Sequence, residues 1–193
     1  MQPIILASAS PRRAEILNQL GLEFQVIPSA VSEVIPERSA TPNELVTELA
    51  LHKASDVSRK IERGLVIAAD TLVVLGETIF GKPSGPAEAV EMLARLSGKI
   101  HSVYTGIALI QASSGRTEVG CSETRVKFKT VSMAEIKSYV ATGEPLDKAG
   151  AYGIQGKGGV LVEAIEGCYY NVVGLPVSKL ADMLREFQIS IWR

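Results

Sequence analysis

Hydroxyl and guanidinium side chains are concentrated in one short run near the start of the chain. Residues 8–13 include Ser8, Ser10, Arg12 and Arg13, and they separate a short apolar segment from an apolar helical pattern. Serines and free amides at a helix start can hold an anion there, and arginine forks match phosphate oxygens bidentately. The run therefore predicts a phosphate site, although a well-capped surface helix with two solvated arginines is an alternative that spacing alone leaves open.

A second informative feature is an acid inside an apolar strand pattern. Residues 65–69 are all apolar, Asp70 and Thr71 interrupt the run, and apolar residues resume at 72–75. A carboxylate at the mouth of such a strand is partly desolvated, which raises its proton affinity and suits a general base acting on a metal-polarised water. The alternative is a strand-end aspartate that accepts backbone amides in a turn.

Other charged residues lie where strands or helices could direct them into the same site. Lys82 follows a predicted strand between Gly81 and Pro83, so its direction is restricted, and it could neutralise charge on a phosphoryl oxygen. Together with Lys53 and Glu33 it suits a phosphorylated substrate carried with a divalent metal. The same mixture of charges also suits surface salt bridges.

Residues 144–159 have no amphipathic period and are rich in glycine. A loop of this length in a compact domain is usually functional or mobile. Its charged residues Glu144, Asp147 and Lys148 could join the site if the loop folds inward.

Composition excludes several classes of protein. The 193 residues carry a formal net charge of −1, which argues against a broad nucleic-acid-binding face. Two distant cysteines suit a reducing compartment, and neither a signal segment nor a stretch of membrane-spanning length is visible, so we expect a cytoplasmic protein that binds no membrane. Neither a nucleophile elbow nor a phosphate loop of the G-x-x-x-x-G-K type is present.

The order of patterns predicts a single α/β domain over residues 1–193, with a mixed sheet flanked by helices and opened into two lobes around a cleft. The expected strands are 4–6, 24–27, 65–69 with its resumption at 72–75, 79–80, 103–110 and 124–128, followed by a hairpin of 160–165 with 169–173. Helices are expected to begin at Pro11, Pro42, Pro86 and Pro176, and after Ser132.

These motifs together resemble the Maf family of nucleotide pyrophosphatases, and the likeness runs nearly end to end. Its landmarks are residues 6–13, 69–71, 81–83 and 171–176. Residues 147–156, which read DKAGAYGIQG, resemble the dTTP/UTP pyrophosphatase subfamily rather than the 7-methyl-GTP branch.

The resemblance implies an inosine-triphosphatase-like fold and hydrolysis of a nucleoside triphosphate between its α and β phosphates, with Mg²⁺ or Mn²⁺ as cofactor. It implies that Asp70 is the proton acceptor. From the chemistry of the residues themselves, we expect Glu33 and Lys82 to join Asp70 in catalysis and Glu33 and Asp70 to hold the metal. The positions that the resemblance associates with substrate selection are Arg12, Thr71 and Gln155, and those that line the site are Ser8, Arg13, Glu33, Lys53 and Lys82.

Three alternatives stay open at this point. The chain could belong to the 7-methyl-GTP branch, or it could be a nucleotide-binding regulator of cell division and septum formation. The substrate could also be a modified pyrimidine nucleotide that the enzyme removes from the pool. The partner expected in every case is a small nucleoside triphosphate, and homodimer formation is left open.

Overall fold

The computed structural model describes residues 2–31 and 41–192, in which strands and helices alternate. The strands are Ile4–Leu6 (β1), Phe24–Val26 (β2), Leu65–Leu75 (β3), Thr78–Phe80 (β4), Ile100–Gln111 (β5), Thr117–Phe128 (β6) and Val162–Glu166 (β7). The α-helices are Pro11–Gln19 (α1), Pro42–Ser58 (α2), Pro86–Leu96 (α3), Met133–Val140 (α4), Tyr169–Val173 (α5) and Val177–Glu186 (α6). Short 3₁₀ helices cover Glu144–Asp147, Ala149–Ala151 and Lys157–Leu161.

The strands form a mixed sheet, as the sequence predicts. Its order is β2-β1-β3-β5-β6-β7, and β4 pairs with β3 off this path. The strand β1 runs parallel to both β2 and β3, whereas β4 and β7 run antiparallel to β3 and β6. The α/β class and the mixed sheet are therefore confirmed.

Two helix starts show why local sequence signals succeed here. Thr41 and Ser132 each accept a hydrogen bond from the backbone of the glutamate three residues later, and that glutamate's side chain returns a bond to the cap. Both are capping boxes, which satisfy amides that a helix start leaves unpaired.

In the part of the chain that the structure describes, no helix is long and apolar enough to cross a membrane.

The first of two compact units contains Met1–Asp70, Thr105–Ser122 and Gly174–Arg193. In its core, small residues of α2 such as Ala50 and Ala54 pack against Val66 and Ala68 of β3. The helix also approaches β5 closely, because a Cβ added at Gly106 would lie 2.3 Å from a backbone oxygen of α2. Small side chains on both surfaces thus allow α2 to lie close to the sheet.

The second unit contains Thr71–Tyr104 and Glu123–Val173. Its core is built around Phe128, Leu93 and Leu96, all nearly inaccessible to solvent. The rings of His101, Phe128 and Tyr152 meet in edge-to-face pairs, with centroids 4.7–5.4 Å apart. The expectations of one domain over the whole chain and of a cleft between two lobes stay predictions.

Three sequence expectations need correction. Asp70 was expected at the end of a strand, but β3 continues through Asp70 and Thr71, so the carboxylate lies within the strand. Residues 169–173 form the helix α5 rather than the second strand of a hairpin, and β7 pairs with β6 instead. The aromatic and β-branched residues of α5 favour a strand locally, but the buried Asn171 amide donates to Val103 O (2.9 Å) and to Thr124 Oγ1 (3.0 Å). The third correction concerns residues 144–159, which are not one irregular loop but contain three 3₁₀ helices.

Candidate active site

The turn between β1 and α1 is organised by the buried hydroxyl of Ser8. Its Oγ accepts the amide of Ser10 at 3.2 Å and Nη1 of Arg13 at 3.1 Å. Ser10 is the N-cap of α1, but among the described residues its own side chain caps no amide of the helix. The hydroxyl of Ser8 therefore organises the turn that precedes the helix.

Arg13 connects this turn to the backbone at Gly174, far away in the sequence. Besides its bond to Ser8, its Nε donates to the carbonyl oxygen of Gly174 at 2.8 Å. One edge of the fork thus holds the backbone just before α6. The neighbouring Arg12 is half-buried in the first turn of α1.

A buried ion pair joins α2 to β3. Lys53 Nζ donates to Oδ1 of Asp70, and the two residues are only 6% and 5% exposed. Because side chains alternate along a strand, Asp70 shares a face with Val66 and Ala68, which pack against α2. The close approach of α2 is what brings the ammonium group to the carboxylate.

The sheet register brings the ion pair and the serine turn to the same region of the first unit. Leu6 lies opposite Ile67 in the parallel ladder, and the amide of Ala7 donates to the Ile67 carbonyl at 2.8 Å. The residues after β1 therefore run beside the part of β3 that ends at Asp70. The Ser8–Arg13 pair and the Lys53–Asp70 pair thus belong to neighbouring parts of the sheet, and their two cations and one carboxylate suit chemistry at a phosphoryl group.

Three predicted residues belong to the second unit. Thr71 is half-buried on β3, while Lys82 and Gln155 are exposed. The 3₁₀ helix Ala149–Ala151 lies against the segment of Lys82, because the amide of Gly150 donates to Gly81 O at 3.0 Å. A glycine is needed at 150, since its φ is +67° and an added Cβ would lie 2.9 Å from the side chain of Val73.

Glu144 begins the first 3₁₀ helix, and its expected part in the site stays a prediction. Its carboxylate accepts the amides of Lys157 (2.9 Å) and Gly158 (3.0 Å) and the hydroxyl of Tyr139 (2.9 Å), so it organises its own glycine-rich segment. Partial burial raises the pKa of the Glu144 carboxyl, but these donors outweigh it and hold the pKa below its ordinary value. Sequence reasoning missed Tyr139 altogether, and the only signal was the spacing of the glycines that its hydroxyl and Glu144 approach.

Two predictions about ligands remain untested by this geometry. Glu33 lies outside the described residues, so its predicted part in catalysis and metal binding stays a prediction. Within residues 2–31 and 41–192, no three His, Cys, Asp or Glu side chains are grouped so that they could hold a metal ion. Asp70, the other predicted metal ligand, lies among the described residues, and its part in metal binding likewise stays a prediction.

Comparison with known proteins gives full-length matches. The family model described as Maf-like protein matches residues 3–187. A dTTP/UTP pyrophosphatase of Desulforamulus reducens is 52% identical over 191 residues, covering 99% of this chain and 100% of the relative. A dTTP/UTP pyrophosphatase of Moorella thermoacetica is 50% identical over 192 residues, covering 100% of this chain and 98% of the relative.

The fold also matches a solved structure at low sequence identity. A HAM1 protein from Coxiella burnetii superposes with a TM-score of 0.53 at 18% identity, covering 96% of this chain and 100% of that one. At this identity the likeness concerns the fold alone, and it agrees with the α/β architecture expected from the sequence.

Proposed function

This chain belongs to the Maf family, and from that premise we propose that it hydrolyses dTTP and UTP to the nucleoside monophosphate and diphosphate. The observation that carries the proposal is the buried Asp70 carboxylate, ion-paired with Lys53 beside the turn of Ser8 and Arg13. Relatives half identical to the chain along its whole length carry the name of this activity.

Asp70 is the proposed proton acceptor. Lys53 engages Oδ1 and so restrains the rotation of the carboxylate, and we assign the proton of the attacking water to Oδ2. A base held in one orientation needs no reorganisation when the reaction begins. The buried ammonium of Lys53 also compensates the negative charge that Asp70 carries before it takes the proton.

Cationic side chains are proposed to hold the triphosphate. Arg12 lies beside the serine turn, and Lys82 follows β4 on the segment joined to Gly150. Charge on the phosphoryl oxygens grows as the bond between the α and β phosphates breaks, so fixed cations stabilise the transition state more than the ground state. Glu33 and Lys82 complete the proposed catalytic set.

Thr71 and Gln155 are the proposed determinants of base selection. A carboxamide offers both a donor and an acceptor, as the edge of a pyrimidine requires. Gln155 is exposed and therefore accessible to a ligand, and Thr71 directly follows the proposed base on β3. Arg12 is assigned to the same selection on family grounds.

A divalent cation, Mg²⁺ or Mn²⁺, is part of the proposal. Asp70 supplies a hard oxygen ligand and Glu33 is the second proposed ligand, and phosphate oxygens of the substrate would complete the coordination of such an ion. When bound, such an ion would polarise the attacking water and neutralise charge on the triphosphate.

The decisive experiment measures diphosphate release by the purified protein with Mg²⁺ or Mn²⁺. We expect turnover of dTTP and UTP above that of 7-methyl-GTP, with 5-substituted pyrimidine triphosphates included to find the preferred substrate. Asp70→Asn should lose turnover while retaining nucleotide binding, whereas Asp182→Asn, an exposed change on α6, should alter neither. A wild-type protein that binds nucleotide but turns none over with either metal would contradict the proposal and favour a regulatory protein.

Cytoplasmic location and the formation of a homodimer stay predictions. Size-exclusion chromatography with light scattering would measure the second directly, with and without nucleotide.

A further inference from the structure

The segment that carries Gln155 is held at both ends by one pair of side chains. On one side of Gln155 the amide of Gly153 donates to Tyr139 Oη at 3.1 Å. On the other side the amides of Lys157 and Gly158 donate to the Glu144 carboxylate at 2.9 and 3.0 Å. The hydroxyl of Tyr139 in turn donates to Glu144 Oε1 at 2.9 Å, which closes the arrangement.

This arrangement explains the glycines of the segment. A Cβ added at Gly156 would lie 2.6 Å from a carboxylate oxygen of Glu144, and one added at Gly158 would lie 2.4 Å from Tyr139 Oη. The two side chains therefore occupy the space that larger residues would need. Lys148 also contacts this arrangement, because its ammonium donates to the carbonyl oxygen of Glu144 and its Cε would lie 2.7 Å from a Cβ at Gly153.

We infer that Glu144, acting with Tyr139, is a positioning residue for Gln155 and thereby sets the enzyme's selection among nucleobases. The inference rests on the proposed function. Gln155 itself is exposed in a turn of two residues, 154–155, so nothing in its own burial determines where its carboxamide points. The constraint comes from the hydrogen bonds on either side: Tyr139 accepts the amide of Gly153, and Glu144 accepts the amides of Lys157 and Gly158 together with the Tyr139 hydroxyl.

The test compares Glu144→Gln with the wild type and with Glu91→Gln, a matched change at an exposed position of α3 in the same unit. The amide of Gln would place a donor against one of the donors that Glu144 now accepts. We expect KM for dTTP and UTP to rise about tenfold with kcat changed less than about twofold, because binding and not chemistry is affected. Selectivity for dTTP over CTP and GTP should fall, and Glu91→Gln should match the wild type.

Combination with Gln155→Ala separates positioning from a general structural effect. If Glu144 acts through Gln155, its substitution should cause little further loss of selectivity in the Gln155→Ala background. If the two losses multiply, or if Glu144→Gln lowers kcat for all nucleotides equally, the inference is overturned. Should Glu144→Gln fail to fold, Tyr139→Phe carries the same comparison, because it keeps the ring in the core and removes only the hydroxyl.

Hydrogen exchange distinguishes a failure of this inference from a failure of the proposed function. Glu144→Gln and Tyr139→Phe should speed exchange of the amides at 153, 157 and 158 relative to Glu91→Gln. If the wild type hydrolyses neither dTTP nor UTP, the proposed function is wrong. The positioning role of Glu144 would then be tested by comparing the equilibrium binding of dTTP, without metal, to the wild type and to the variants. Unchanged exchange and unchanged selectivity in both variants would reject the positioning even if the enzyme is fully active.

Discussion

Lys53 of α2 and Asp70 of β3 form an ion pair in which neither side chain is more than 8% exposed. Removing two charges from water is costly, and their attraction offsets that cost only while both partners are present. The pair is therefore a point where loss of one side chain should affect the fold as well as the chemistry.

The first prediction concerns the dependence of stability and activity on the ion pair of Lys53 and Asp70. Lys53→Met should destabilise the protein by about 3–5 kcal/mol, because it leaves the Asp70 carboxylate buried and uncompensated. Urea unfolding at neutral pH measures the change. The double variant Lys53→Met/Asp70→Leu should recover most of the stability and remain inactive. A single variant as stable as the wild type would show that water reaches Asp70 freely.

The second prediction concerns the approach of α2 to the sheet. Gly106→Ala should destabilise by about 2 kcal/mol or more, because the new Cβ would lie 2.3 Å from the carbonyl oxygen of Val46 and backbone must move. Turnover should also fall, since α2 carries Lys53. Thermal unfolding and kcat measure the two effects.

Gly120→Ala is the matched control for that change. A Cβ at Gly120 would meet the flexible end of Lys179 at 2.6 Å, and this side chain can move aside. The control should cost less than about 1 kcal/mol and leave turnover unaltered. Equal losses in the two variants would contradict the account based on close helix packing.

Local signals predicted much of this fold, and long-range contacts explain the rest. The capping boxes at Thr41 and Ser132 and the apolar runs 65–69 and 72–75 of β3 are visible in short windows of sequence. The helix α5 was missed because its residues favour a strand locally, whereas Asn171 pairs with groups 68 and 47 positions earlier. No local window contains those partners.

The candidate site was likewise predicted in part from local sequence signals. Residue type and position identified Asp70 and Ser8 as polar groups following or ending apolar segments. The partnership of Asp70 with Lys53 depends on how closely α2 packs on the sheet, and that distance is set by small residues spread over the unit. The hydrogen bonds from backbone amides to Glu144 and Tyr139 were likewise not predictable from the sequence. Such bonds place no requirement on residue type, except for the glycines that lie beside the two side chains.

The third prediction concerns Arg13. Arg13→Lys should destabilise by about 1–2 kcal/mol, because a lysine ammonium cannot reproduce a planar fork that donates to both Gly174 O and Ser8 Oγ. KM for dTTP should rise as the serine turn loosens. Thermal unfolding and steady-state kinetics test both, with Arg59→Lys, at the exposed end of α2, as control. A variant that alters KM alone would restrict Arg13 to substrate binding.

His101 is 2% exposed, its Nε2 lies 2.9 Å from the hydroxyl of Tyr152, and its ring packs edge-to-face on Phe128. Burial lowers the pKa of His101 from 6.5 to about 4. Well above pH 6.5 the imidazole is neutral in both the folded and the unfolded chain, so it adds no pH dependence to stability there.

The last prediction is that the free energy of unfolding falls as the pH drops from 6.5 to 4. In this range His101 binds a proton in the unfolded chain but not in the folded protein. The contribution is about 3 kcal/mol when the shift of the His101 pKa is fully expressed. Urea unfolding at several pH values should show a steeper loss in the wild type than in His101→Phe, whose aromatic ring cannot titrate. His52→Gln, which removes the exposed histidine of α2, should retain the wild-type slope. Parallel curves for the wild type and His101→Phe would mean that the folded protein protonates His101 readily.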